Sequence, residues 1–186
     1  MIFKIENIFK KYKKNFVLQR FNYEFQSGLY LFIGINGSGK STTLKILSKL
    51  INPTNNNYKI SEAKVAYLCE KIEIGSTRVS TFLKSVKKLN NSKLNLKEEM
   101  KRWRLPNKLI PNLSKGNKQK CGIIMMKLAE CDLYLFDEPT DALDEYSQKL
   151  FVDYIEELMK RDKIVIIATH EKSYFSGLKY TEVHFS

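Results

Sequence analysis

The chain has 186 residues, enough for one domain with a sizeable core, and its 43% hydrophobic and 28% charged residues are an ordinary globular balance. No apolar run approaches the roughly 20 residues of a membrane-spanning helix, and the alternating start Met1-Ile2-Phe3-Lys4-Ile5-Glu6 has no signal-peptide core, so a cytosolic protein is expected. The net charge of +12 is compatible with nucleic acid or an anionic surface. The lysines are spread beside many asparagines, however, and dense only at Lys10-Lys11-Tyr12-Lys13-Lys14 and from Lys84 to Lys93, which reads as a solvated surface.

Met1 to Phe9 and Phe16 to Phe25 alternate like strands, with Phe21, Tyr23 and Phe25 two apart, and the lysine run between them reads as a turn bearing an exposed Tyr12. Leu29 to Ile33 is a third strand. It runs into Gly34-Ile35-Asn36-Gly37-Ser38-Gly39-Lys40-Ser41-Thr42, which fits the pattern G-x-x-x-x-G-K-[ST]. A helix follows, Thr42 to Leu50, with Leu44, Ile46, Leu47 and Leu50 on its apolar side. Strand, glycine-rich loop and helix are what a phosphate cradle requires. Backbone N–H groups converge on the anion, the helix N-terminus adds positive charge, Lys40 reaches the β- and γ-phosphates and the Ser41 hydroxyl holds Mg²⁺.

Asn52 to Asn57 is a polar connection, and Val65 to Leu68 is a short buried strand leading into Cys69-Glu70. From Thr77 to Leu113 the pattern becomes helical. Thr81 to Leu89 carries Phe82, Val86 and Leu89 on one side, and Asn95 opens a second helix through Arg104 with a capping-box-like Asn-Leu-Lys-Glu. About 37 residues cannot bury much core alone, so this is a helical insertion. Leu113-Ser114-Lys115-Gly116-Asn117 precedes a helix running through Met125 to Glu130. Leu133 to Phe136 is a strand stopping at Asp137-Glu138-Pro139, and Tyr146 to Arg161 is a helix capped by Asp144. Ile164 to Ala168 is a buried strand ending at Thr169-His170, and Thr181 to Phe185 is the last strand. The three cysteines, Cys69, Cys121 and Cys131, stand at no metal-ligand spacing and read as reduced, mostly buried residues.

Strands alternating with helices predict an α/β fold with a mainly parallel sheet covered on both faces and a site at the carboxyl ends of its strands. The phosphate loop, Asp137-Glu138 and His170 all follow strand ends. Asp137, after four apolar residues, is placed to hold Mg²⁺, and Glu138 to polarise a water attacking the γ-phosphate. His170 is placed to contact that phosphate or to orient Glu138.

In these residues the chain resembles the ATP-binding subunit of the ATP-binding cassette (ABC) family along nearly its whole length. Gly34 to Ser41 is similar to Walker A, and Leu133 to Glu138 to Walker B with its catalytic glutamate. Leu113 to Gln119 is similar to the family signature, Asp141-Ala142-Leu143-Asp144 to the D-loop and Thr169-His170 to the switch histidine. The resemblance implies a P-loop NTPase fold, one cassette over residues 1–186 with its insertion at about 77–113, and ATP and Mg²⁺ as ligands. It implies that Tyr12 stacks on adenine, and that Ser114 and Gly116 close on the γ-phosphate of an opposing subunit in a head-to-tail dimer, expected to be a homodimer. It also implies separate transmembrane permease subunits, a position on the inner face of the membrane through that partner, and no nucleic acid. Glu70 stands where the family usually has the Q-loop glutamine; it keeps an oxygen ligand for the metal and adds a charge. The compact cassette with an LSKG-type signature and Thr81-Phe82-Leu83 after the Q-loop position looks most like small exporter cassettes for peptides, lipids or toxin immunity. A soluble ABC ATPase acting on ribosomes or nucleic acid is the alternative.

Overall fold

The computed structural model describes residues 2–13, 15–72 and 75–185. Three strands form an antiparallel sheet in the order β2-β1-β4: β1 (Ile2–Tyr12), β2 (Asn15–Gln26) and the two-residue β4 (Lys59–Ile60). Lys10, Lys11 and Tyr12 belong to β1, so the expected turn over the lysine run is confined to its end: Lys13 takes a left-handed φ of 52°, and Lys14 lies outside the described residues. Exposed lysine stems are tolerated on a strand whose other face packs on the core.

The second sheet is wholly parallel, in the order β5-β6-β7-β3-β8, built from β3 (Gly28–Ile33), β5 (Val65–Leu68), β6 (Leu133–Asp137), β7 (Ile164–Ala168) and β8 (Tyr180–His184). All residues of β6 and β7 are buried, because both faces of the sheet are covered. Alternation divides them. Leu29, Leu31, Tyr134, Phe136, Val165 and Ile167 enter a core shared with α4 (Lys115–Leu128) and α5 (Glu145–Lys160). Tyr30, Phe32, Leu133, Leu135, Ile164 and Ile166 enter a second core shared with α1 (Lys40–Leu47) and the antiparallel sheet. The aromatics of β2 reach this second core, where Phe21 contacts both Phe32 and Phe185.

Two apolar residues expected in the core stand in water. Helix α1 ends at Leu47 and Lys49 turns left-handed, which leaves Leu50 exposed. Helix α2 (Val79–Leu89) starts earlier than expected and buries Val79 and Leu83, so its last residue, Leu89, is 83% exposed. Of the cysteines only Cys121 is fully buried; Cys69 and Cys131 are half-buried.

The insertion has a narrow neck. The carbonyl of Thr77 accepts from the N–H of Ile110 and that of Lys108 from Val79, tying the insertion's two ends together. Beyond the neck lie α2 and α3 (Leu96–Arg102), the latter capped by Asn95, whose side chain accepts from the N–H groups of Lys97 and Glu98. Helix α3 stops at Arg102 because Arg104 is left-handed. It is joined to α4 by a buried ion pair, Lys127 Nζ to Glu99 Oε1 at 3.1 Å, and the Trp103 indole donates to the other oxygen of Glu99. The insertion is thereby fused to the core it interrupts.

Candidate functional site

Strands β6, β7 and β3 are neighbours, so the loops leaving their carboxyl ends converge. From β3 comes the glycine-rich loop. Gly39 caps α1 at a φ of 104°, and a side chain there would meet the Val17 carbonyl oxygen at 2.9 Å, so both backbone conformation and space demand glycine. Lys40, nearly buried, folds back over the loop and donates to the carbonyls of Gly34 at 2.7 Å and Ile35 at 3.0 Å. Its ammonium is thus held against the loop by two of the loop's own carbonyls.

From β6 come the carboxylates. The Ser41 hydroxyl donates to Asp137 Oδ1 at 2.8 Å, and the Tyr67 hydroxyl, on β5, is 3.3 Å from Oδ2. Burial raises the Asp137 carboxyl above its usual range, against the pull of those two donors. Burial also raises the Tyr67 phenol, which keeps it a proton donor. A hydroxyl and a carboxylate oxygen 2.8 Å apart are hard oxygen donors, the set a small divalent cation takes.

Glu138 sits at a φ of 46° at the turn after β6, held by its N–H to the Ala168 carbonyl of β7. Its carboxylate lies 3.1 Å from His170 Nε2 and accepts from the His170 N–H at 3.3 Å. Burial, then the charge of Asp141, push Glu138 up to about 7. A carboxylate poised there suits general-base work near neutrality.

Lys40, Ser41, Glu138 and His170 line one cavity of about 600 Å³, a size that suits a small ligand. Of the residues expected in the site, Tyr12, Asn36, Gly37, Gly39, Lys40, Ser41, Thr42, Glu70, Glu138 and His170 line it. Asp137 reaches it through Ser41. Gly34 contributes the carbonyl under Lys40, while Ser38 turns its hydroxyl away into a buried position with no partner among the described residues. Tyr12 is half-exposed at the cavity rim with the Lys10 ammonium 5.3 Å from its ring centre. Sequence reasoning missed two lining residues as site residues, Val17 and Asp141, and the Tyr67 hydroxyl. Asp141 was legible in the segment Asp141 to Asp144; Val17 and Tyr67 lie on strands where nothing but alternation marks them.

Ser114 and Gly116 do not line this cavity. Ser114 caps α4 and accepts from the N–H of Asn117 at 3.3 Å, with its side chain facing solvent. Gly116 packs on the Ala142 carbonyl so closely that a Cβ would collide with its oxygen. One turn on, buried Lys120 bonds the Asp144 carboxylate at 2.7 Å, which, with the Ser147 N–H, lowers that group to about 2.

The sequence profile of the ABC transporter family matches residues 18–141. The chain belongs to the ABC transporter family. An uncharacterized ABC transporter ATP-binding protein of Methanocaldococcus jannaschii is 32% identical over 181 residues, covering 90% of this chain and 68% of that protein. The high-affinity zinc uptake system ATP-binding protein of Bacillus subtilis is 29% identical over 194 residues, covering 91% and 84%. An ABC transporter ATP-binding protein from Pyrococcus furiosus superposes with a TM-score of 0.79 at 26% identity, covering 100% of this chain and 98% of that one. As an ABC ATP-binding subunit, the chain is an ATPase whose hydrolysis is coupled to transport. Such subunits work with transmembrane permeases, and no helix among the described residues is long and apolar enough to cross a membrane.

Proposed function

We propose that residues 1–186 form one cassette that binds ATP with Mg²⁺ and hydrolyses it in a head-to-tail dimer of two such chains, on the inner face of the membrane beneath separate permease subunits. The clamp of Glu138 by His170, in the same cavity that the Ser41–Asp137 pair reaches, carries this reading. In it Tyr12 stacks on the base, and the loop from Gly34 to Thr42, including Asn36, Gly37, Ser38 and Gly39, wraps the phosphates. Lys40 leaves its carbonyls for the β- and γ-phosphate oxygens. Ser41 and Asp137, with Glu70 alongside, hold the cation, which when bound neutralises charge on the phosphates. Glu138 takes the proton of the attacking water and His170 keeps the carboxylate aimed.

Ser114 and Gly116 lie outside the cavity, so in this reading they serve the nucleotide of the opposing chain, and neither half-site has a full set of groups alone. We infer export as the direction, on the compact cassette, the LSKG-type signature and Thr81-Phe82-Leu83 after the segment ending at Glu70; the relatives' names include a high-affinity zinc uptake system as well as an export protein of cytochrome c biogenesis. The test is affinity purification of the Glu138→Gln chain from its own cells in mild detergent with ATP. Recovery of a multi-spanning protein with a second cassette copy supports the reading; recovery of ribosomal proteins alone overturns it. Reconstitution of the recovered complex in vesicles then reads the direction of transport.

A further inference from the structure

The positive charge of this chain is concentrated. Residues Thr77 to Leu113 hold ten lysines and arginines against two glutamates, so 37 residues carry +8 of the total +12. One of the two acids, Glu99, is buried against Lys127 and Trp103, leaving Glu98 as the insertion's exposed carboxylate. The three arginines are occupied by the protein itself. Arg78 donates to the Asn107 carbonyl, Arg102 pairs with Asp153, and Arg104 lies 4.2 Å over the Tyr146 ring. Lys84, Lys88, Lys93, Lys97, Lys101 and Lys108 are different. All six are exposed, and none has a side-chain hydrogen bond or ion pair among the described residues.

Helical spacing pairs four of them. Lys84 and Lys88 stand one turn apart on α2, away from its buried Val79 and Leu83, and Lys97 and Lys101 one turn apart on α3, away from buried Glu99. Between the two pairs lies the α2–α3 connection, which carries Lys93 and follows Leu89, the most exposed large apolar side chain of the described chain. Long flexible lysines around an unpartnered leucine make a surface that attracts anions diffusely and offers one apolar contact.

We propose that this face of the insertion rests on an anionic lipid bilayer, with its lysines among the phosphates and Leu89 at the headgroup boundary. The choice of a bilayer draws on the reading of the chain as a membrane-partnered subunit, and on chemistry within the insertion. Six exposed point charges match a laterally extended array of phosphates; selective capture of one phosphate favours arginine forks, and the arginines here are engaged. Single-stranded RNA would call for exposed aromatics to stack its bases, but the insertion's two aromatics, Phe82 and Trp103, both pack on the core. Leu89 would gain nothing from a sugar-phosphate backbone and gains contact at a headgroup boundary.

The experiment is co-sedimentation of the purified full chain with phosphatidylcholine vesicles, with and without about one-third phosphatidylglycerol, at about 0.1 M and about 0.5 M salt. Binding is expected at least tenfold tighter with the anionic lipid and lost at the higher salt. Lys84→Glu with Lys88→Glu should remove most of that preference, and Leu89→Ser should weaken it several-fold. Both variants should bind ATP like the parent, since none of these residues lines the nucleotide cavity, and this also checks that they fold. Equal binding to both vesicles, or charge reversal without effect, overturns the inference. So does a homopolymeric RNA that strips the chain from anionic vesicles and binds more tightly. A chain that hydrolyses ATP with a permease but ignores anionic vesicles would sink this inference alone; one that prefers such vesicles but has no permease would sink the transporter reading alone.

Discussion

His170 and the carboxylate of Glu138 meet twice, through the imidazole Nε2 to Oε1 at 3.1 Å and through the His170 backbone N–H to Oε2 at 3.3 Å. Two contacts from one residue fix the plane of the carboxylate as well as its position. Glu138→Gln should therefore keep ATP affinity within about threefold while turnover falls by about 10³ or more, because the fold of the site survives and the base does not. His170→Ala should lower kcat by about 10- to 100-fold, since the base remains but loses its aim. Single-turnover kinetics with equilibrium nucleotide binding separates the two effects; full turnover by purified Glu138→Gln would remove Glu138 from the base role.

The pH dependence follows from Glu138, raised to about 7 by burial and by Asp141. The base form exists above that pH, so kcat/KM should fall as pH drops through about 7. Asp141→Asn should move that limb to lower pH. The same group makes a stability statement of opposite sign. A carboxyl raised in the folded chain costs stability once ionised, so Glu138→Gln should be more stable than the parent above pH 7, by about 1–2 kcal/mol or a few degrees in Tm. That advantage should vanish as pH falls from 7 towards the ordinary carboxyl range. Melting curves at pH 5 and pH 8 check it.

Composite sites make a sharper demand. Ser114→Arg should abolish hydrolysis while the monomer still binds ATP, because Ser114 does not line its own chain's cavity. Lys40→Ala should be inactive for the other reason. Mixing the two inactive chains should restore a fraction of activity, since one of the two sites in the mixed dimer then holds both native residues. A mixture as dead as its parts would exclude sites shared across the dimer.

Tyr67 gives a fourth test. Its hydroxyl is the second donor on Asp137, facing the oxygen that Ser41 does not use. Tyr67→Phe keeps the ring and should leave metal-free ATP binding intact while weakening Mn²⁺ binding in the ATP complex about three- to tenfold. Electron paramagnetic resonance of bound Mn²⁺ reads this directly.

The buried pair Lys127–Glu99 tests how the insertion is attached. Both side chains are about nine-tenths buried, so Lys127→Met leaves an unpaired carboxylate and should cost about 3 kcal/mol. Adding Glu99→Gln should recover much of that. Urea unfolding of the three variants checks the non-additivity, and one shared transition would show that insertion and core unfold together.

Much of the site was readable in the sequence because its parts hang on fully buried strands. Continuous apolar runs such as Leu133 to Phe136 and Ile164 to Ala168 mark strands covered on both faces, and the polar residues after them must then lie at one rim. What was misread lay where periodicity was carried past a helix end. Leu50 and Leu89 fit the apolar stripe in spacing, but backbone geometry ends one helix at Leu47, and Leu89 is the last residue of the other. The lysines Lys10 and Lys11 read as turn because charge masks a strand whose partner sits across a hairpin. Two-residue β4 has no signature at all, and its pairing depends on contacts more than 50 residues away.

The fit of Gly116 against Ala142, and of Lys120 against Asp144, joins the start of α4 to the loop that follows Glu138 at two points. In the proposed dimer, the first would serve the opposing chain's nucleotide and the second the chain's own. A change of shape after one bond is cut would then be felt at once by the other, as two doors hung on a single rod. Firing in turn rather than together would need no messenger beyond the width of a missing methyl group.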